Sequence, residues 1–208
     1  MGVLDTIKKN TKGLIGEVKI DSILNRFAHE QCFTVRDLLL VRDGKSTQID
    51  NILFTYRKIY IIESKNYSGW IYGSEMGKSW TQTYNHYGKI TRSSFYNPLT
   101  QNFGHIKFFS KFFDLQLTSF INIVVFSNDA ELKNISTEKH YNFVINVKDL
   151  SYLINHIEES NEILFDWEDL ERFNDALLYL NTKDSKSKKN HKKYVKSIVD
   201  RGKNESGE

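Results

Sequence analysis

Apolar and polar residues alternate in two different rhythms along this chain. Between Leu14 and Glu30 the rhythm is helical, with Ile20, Ile23, Leu24 and Phe27 forming one apolar stripe. Glu17 lies three residues before Ile20 and seven before Leu24, so it borders that stripe, and Gly16 beside it leaves room for a close approach. The period then drops to two. Phe33 to Val41 reads as a strand ending in the turn Arg42-Asp43-Gly44-Lys45, and Gln48 to Tyr56 follows as its partner. In strict alternation Asp50, Ile52, Phe54 and Tyr56 share one face of that second strand. Ile59 to Lys65 is the third, with Ile59, Ile61, Glu63 and Lys65 on one face and Tyr60, Ile62 and Ser64 on the other. Three strands at this spacing form a meander.

Beyond the meander the pattern loosens. Gly69 to Trp80 predicts a further strand or a loop over the sheet, and Thr81 to Tyr96 is polar, tyrosine-rich and only weakly periodic. Asn97-Pro98 then opens a helix, since asparagine suits the cap and proline the first turn. Leu99, Phe103, Ile106 and Phe113 mark its buried side. Phe120 to Phe126 and Asn142 to Val147 read as buried strands, and Asp149 to Ile157 and Trp167 to Leu180 as amphipathic helices. The expected class is α/β: helix, three-stranded meander, helix, strand, as a mixed sheet flanked by helices with extra C-terminal helices. The expected organisation is an N-terminal segment over 1–12, a core domain over 13–147, a helical extension packed on it over 148–181, and a tail over 182–208.

Composition narrows the partners. With 208 residues, 39% of them hydrophobic, the chain can bury a sizeable core. The net charge is only +3, but from Lys183 to Lys203 nine Lys or Arg face two Asp, which leaves the remainder slightly acidic. The lone Cys32 excludes an internal disulfide and suits a reducing compartment. No apolar run reaches membrane-spanning length, and the first residues lack the apolar core of a signal peptide, so the expected location is cytoplasmic. Met1 to Thr6 formally fits a myristoylation pattern, but that pattern is too permissive to carry weight.

The candidate chemistry lies on the meander. Asp50 sits among Ile49, Ile52 and Leu53 and Glu63 follows Ile61-Ile62, where an unpaired buried carboxylate would cost several kcal/mol. Charges so placed are paired or hold a metal. Paired carboxylates suit a hard cation such as Mg²⁺ or Mn²⁺, Lys65 offers a compact positive charge to an attacking water or a phosphate, and Gln101 in the Pro98 helix can hydrogen-bond near both. Glu17 could complete the cluster. Singly, each residue is more often ordinary: Glu-x-Lys is a common surface ion pair. Their conjunction points to phosphodiester hydrolysis.

Gly16-Glu17, Thr47-Gln48-Ile49-Asp50-Asn51-Ile52, Tyr60-Ile61-Ile62-Glu63-Ser64-Lys65-Asn66-Tyr67-Ser68-Gly69, Trp80 and Asn97-Pro98-Leu99-Thr100-Gln101-Asn102 together resemble the nuclease-related domain, NERD, a branch of the PD-(D/E)XK nucleases. The resemblance covers about residues 13 to 128. It implies a restriction-endonuclease-like core, Mg²⁺-dependent cleavage of DNA, and site positions filled by Glu17, Asp50, Glu63, Lys65 and Gln101. It adds the backbone carbonyl of Ser64 to the metal ligands Asp50, Glu63 and Glu17. Asn51 stands where a histidine is frequent in the family and Ser64 where a threonine is; neither change removes a group the chemistry needs. The competing reading is a non-catalytic nucleic-acid-binding or partner-interaction module on the same fold.

Other signals carry less. Gly44-Lys45-Ser46-Thr47 lacks the glycine a phosphate-binding loop needs at Leu39. His105 follows Gln101 by one helical turn and could border the site, though a packed or solvated histidine is the plainer expectation. Tyr84, Tyr87 and Tyr96 suit base stacking or scaffold packing equally. In the tail, Lys188, Lys189, Lys192 and Lys193 read either as solvated charge or as an arm on DNA phosphates. DNA is the expected partner; RNA, a homodimer and a protein partner stay open, and no membrane is expected.

Overall fold

The structure, a computed structural model, describes residues 19–28, 32–86, 88–160 and 162–181. Helix α1 occupies 19–27, with Ile20 and Leu24 buried and Ile23 and Phe27 packed beside them. The flanks of the expected Leu14–Glu30 helix, Glu17 and Gly16 included, lie outside the described residues, as do Tyr87 and the basic tail.

Strands β1 (Phe33–Arg42), β2 (Lys45–Phe54) and β3 (Ile59–Lys65) form the antiparallel meander. After β4 (Gly69–Ser74), β5 (Ser79–His86), β6 (Lys89–Tyr96) and α2 (Pro98–Phe113), strand β7 (Phe120–Phe126) returns parallel to β3. β8 (Ala130–Ser136) and β9 (Asn142–Asn146) follow, then α3 (Leu150–Ser160) and α4 (Trp167–Asn181). The main sheet has the order β1-β2-β3-β7-β9. Its two faces are covered separately. Ile52, Phe54, Ile59 and Ile61 pack under α2 and α4, while Leu53, Tyr60, Ile62 and Ile123 pack under α1 and α3. This two-layer burial explains the near-continuous apolar runs in β3 and β7.

A second sheet, β6-β5-β4-β8, was not expected. The weakly periodic stretch from Thr81 to Tyr96 belongs to a β5–β6 hairpin whose eight rungs run from Ser79–Tyr96 to His86–Lys89. One face of this sheet is buried: Ile71, Trp80 and Phe95 meet Phe126 and Leu99 in a third core between the sheets. Gly73 is a requirement of that core, because a Cβ there would fall 2.2 Å from the Trp80 ring.

No described helix is long and apolar enough to cross a membrane.

A candidate active site at a fork between strands

The rungs joining β2 to β3 stop at Asn51–Ile62. Beyond that point β2 stays with β1 and β3 stays with β7, so the strands part like a fork. Asp50 and Glu63 are the first residues past the last rung. There the expected alternation of β2 fails. Ile49 and Ile52, three apart, pack into the same core, so the pleat slips across Asp50–Asn51 and Asp50 leaves the face of Ile52 and Phe54. The partner strand slips at the matching place: Asp37, skipped with Asp50 in the β1–β2 register, has φ 50°. Aspartate tolerates that left-handed conformation better than a bulky residue would.

The freed edge of β3 is capped by the acid. Asp50 Oδ2 accepts from the Ser64 amide at 3.0 Å and from Ser64 Oγ at 3.0 Å. N–H and C=O of one strand residue face the same edge, so the Ser64 carbonyl faces the fork too.

Glu63 enters from the α2 side. It is 3% exposed, and its Oε1 accepts from Lys65 Nζ at 2.5 Å and from Gln101 Nε2 at 2.7 Å. Lys65 Nζ also donates to Gln101 Oε1 at 3.1 Å, closing a triangle of carboxylate, ammonium and amide. The other oxygen, Oε2, faces His105 Nε2 at 3.5 Å, longer than a normal hydrogen bond. His105 Nδ1 is tied to Thr47 Oγ1 at 2.6 Å. This histidine, for which a packed or solvated role is the plainer of two expectations, lines the site, and Thr47, quoted in the motif without a role of its own, braces it. The available signal was helical spacing, which sets residues 101 and 105 on one face.

Helix α2 is pinned so that Gln101 and His105 arrive in register. Asn97 Oδ1 accepts from the amides of Leu99 and Thr100, while its Nδ2 donates to the carbonyls of Ser74, Glu75 and Gly77. The neighbour of Gln101, Asn102, donates to the carbonyl of Ile61 at 2.8 Å and to Asn122 Oδ1 at 2.7 Å; Asn122 in turn donates to Asn142 at 2.8 Å. This buried asparagine ladder ties the helix to β3, β7 and β9.

Electrostatics separate the two acids. Burial, and then the facing charge of Glu63, raise the Asp50 carboxyl above its ordinary value despite the bonds from Ser64. Burial also pushes Glu63 up, but His105 and Lys65 outweigh it and hold Glu63 below its ordinary value. Asp50 and Ser64 open onto a groove of about 760 Å³ bordered by Asp21, Arg36, Asp37 and Gln48. Arg36 pairs there with Asp21, and Gln48 donates to Asp37. Of the residues singled out in the sequence, Asp50, Glu63, Ser64, Lys65 and Gln101 therefore meet. Glu17 and the tail lysines lie outside the described residues.

A mixed sheet flanked by helices, with an acid at a strand fork facing Glu-x-Lys, defines the restriction-endonuclease-like class. Residues 12–127 match the nuclease-related domain, and the chain belongs to that family. It is also similar to an uncharacterized protein of Bacillus anthracis, 29% identical over 186 residues that cover 88% of this chain and 84% of that one. No solved structure matches the chain significantly.

Proposed function

We propose that this chain hydrolyses DNA phosphodiester bonds at the fork, using Mg²⁺ or Mn²⁺ as cofactor. The observation that carries the reading is the meeting of two carboxylates, Asp50 and Glu63, close enough for one to raise the other's pKa, beside a lysine fixed from two sides. Lys65 answers the charge of Glu63 but leaves Asp50 raised, and the donors of the pair are all oxygen, which is the donor set hard dications take. Asp50, Glu63 and the Ser64 carbonyl would hold the ion, with Glu17 as the proposed further ligand. Among the described residues no cluster of three or more His, Cys, Asp or Glu side chains forms a metal site, so in this reading Glu17, the backbone carbonyl and waters would complete the shell. When bound, the metal supplies neutralisation of the phosphate and a more acidic water.

The chain's own groups do the rest. An ammonium has three N–H donors, and Lys65 spends two on Glu63 and Gln101. The third can orient the attacking water or meet a phosphate oxygen as negative charge grows there. Water oxygen bonds to phosphorus and gives up a proton to solvent as the bond to the leaving oxygen breaks, and the leaving oxygen takes up a proton from a solvent water. Gln101 and His105 keep Glu63 and Lys65 in place without touching substrate. The Lys183 to Lys203 tail, in this reading, adds phosphate contacts that carry no sequence preference, and its removal should flatten the salt dependence of DNA binding. A cytosolic location is part of this reading, since a single cysteine suits a reducing compartment.

The test is a gel assay of supercoiled, linear and single-stranded DNA with Mg²⁺, Mn²⁺ or EDTA, with Lys65→Ala and Asp50→Ala run alongside. Cleavage that needs metal and disappears in both variants is expected. Cleavage unchanged by both would remove the site from the fork. Binding without any cleavage would turn the reading to a non-catalytic nucleic-acid module.

A further inference from the structure

The second sheet has one face in the third core and one turned away from it. Register places the outward residues. Trp70 stands opposite Thr83, and Thr83 opposite Arg92; Tyr72 stands opposite Thr81, and Thr81 opposite Ser94. Tyr96 continues the same parity along β6, two residues beyond Ser94. Trp70 is 36% exposed, Tyr96 58% and Ile90 56%. Aromatic side chains that could have turned inward to join Trp80 and Phe95 are therefore left at the surface.

Charge separates this face from a plain apolar patch. Arg92 is the exposed cation of the outward row, while the exposed Lys78 precedes β5 and the exposed Lys89 has the parity of Phe95 at the hairpin's end. The lone carboxylate of residues 69–96, Glu75, is buried and bound to the amides of Glu138 and Lys139. On the neighbouring strand β8, Glu131 stands beside Trp70, but it is ion-paired with Lys133. A surface that joins exposed aromatic rings to an arginine with no carboxylate opposite it in the register complements a polymer with both flat faces and negative charge.

We propose that the outer face of the second sheet is a binding platform for single-stranded nucleic acid, with Trp70, Tyr72 and Tyr96 stacking on bases and Arg92 meeting the backbone. The row from Trp70 to Arg92 crosses two strand spacings, about 10 Å, and Arg92 to Tyr96 covers about 13 Å along β6. That area accommodates two or three unstacked nucleotides, the number sheet platforms of this kind hold. A duplex keeps its bases stacked on one another and has none to offer the rings. The choice of nucleic acid rests on the nuclease reading; the face itself lies outside the fork.

The test uses the full chain in EDTA, where nothing is cut. Fluorescence anisotropy compares a labelled (dT)12 with an abasic 12-mer carrying the same phosphates. The wild-type chain should prefer (dT)12 by about 10-fold or more, the loss expected when one base–aromatic stack is removed. The double variant Trp70→Ala/Tyr96→Ala should bind both probes alike, and Arg92→Glu should weaken both, with circular dichroism and melting verifying the fold. Equal binding of the two probes by the wild-type chain, or a preference that survives the double variant, overturns the platform and leaves the face to a protein partner. A chain with the preference that never cleaves DNA would sink the nuclease reading alone; a chain that cleaves without it would sink the platform alone.

Discussion

Asp50 holds a charge that the fold resists. An acid whose folded pKa exceeds its unfolded value, about 3.9 for Asp, ionises at greater cost in the folded chain. Stability then falls as pH rises through that window, and the deficit persists at neutral pH. Asp50→Asn keeps an oxygen for the Ser64 amide and removes the charge. It should raise the melting temperature of the metal-free protein at pH 7 by about 2–4 °C, the size of ~1 kcal/mol at this length. The same variant should lose any stabilisation by Mn²⁺. A lower melting temperature for Asp50→Asn would mean that no charge strain is stored there. The residues that sequence inspection picked out here, Asp50, Glu63, Lys65 and Gln101, could be found because carboxylates at the ends of apolar strands and a capped helix leave a local signature. Thr47 leaves none, and His105 leaves only its helical spacing from Gln101: a threonine in a β-rich stretch and a histidine in a helix have many ordinary explanations, and only the packing of α2 on β2 brings them within 2.6 Å.

Helix α2 shows how a cap acts beyond its own helix. Asn97 is fully buried and serves both the first turn of α2 and three carbonyls of the β4–β5 turn. Aspartate is as good an N-cap as asparagine in general. Here Asn97→Asp should nonetheless destabilise at least as much as Asn97→Ala, because it removes the Nδ2 donor and buries a carboxylate among carbonyls. Urea unfolding should show a loss of about 2 kcal/mol or more for each. An Asp variant as stable as wild type would reduce Asn97 to a simple cap. The same helix was readable from Asn97-Pro98 and its apolar spacing. The β5–β6 hairpin was not, because Gln82 points inward to donate to the Ser68 carbonyl while Ile90 and Tyr96 stand on the exposed face. A period of two becomes invisible when the buried face carries a polar residue and the exposed face carries apolar ones.

In the molecule as a whole, the family match ends before the fold does. Residues 12–127 stop short of β8, β9, α3 and α4, yet Phe165, Leu170 and Leu177 sit in the core beneath α2, and Leu150, Ile154 and Ile157 complete the opposite one. A fragment of residues 12–127 should therefore be insoluble or molten, with far-UV but little near-UV circular dichroism, while the full chain shows one sharp transition. A fragment that melts cooperatively would show those helices to be dispensable. Acid stability has its own anchor. Glu75 is held down to about 2 against the push of burial, by the amides of Glu138 and Lys139 and by the Lys139 ammonium at 3.2 Å. A depressed acid adds stability above its unfolded pKa, near 4.5, and that stability drains away as pH falls toward 2. Glu75→Gln should lower stability at pH 7 and shrink the difference from wild type in urea titrations at pH 2.5. A constant difference would mean that the contribution is steric.

The meander, the capped helix, the two-sided sheet and the acids at its strand ends were all present in the order of residues, because each depends on contacts or periodicities within about twenty positions. Tertiary structure alone decided the rest: that β2 and β3 part at Asn51–Ile62, that the pleat slips to turn Asp50 toward Ser64, that Thr47 and His105 brace Glu63, and that a second sheet presents Trp70 and Tyr96 outward. These features arise from which faces compete for the same buried volume. Such a competition joins residues as far apart as Thr47 and His105, and no local pattern records its outcome.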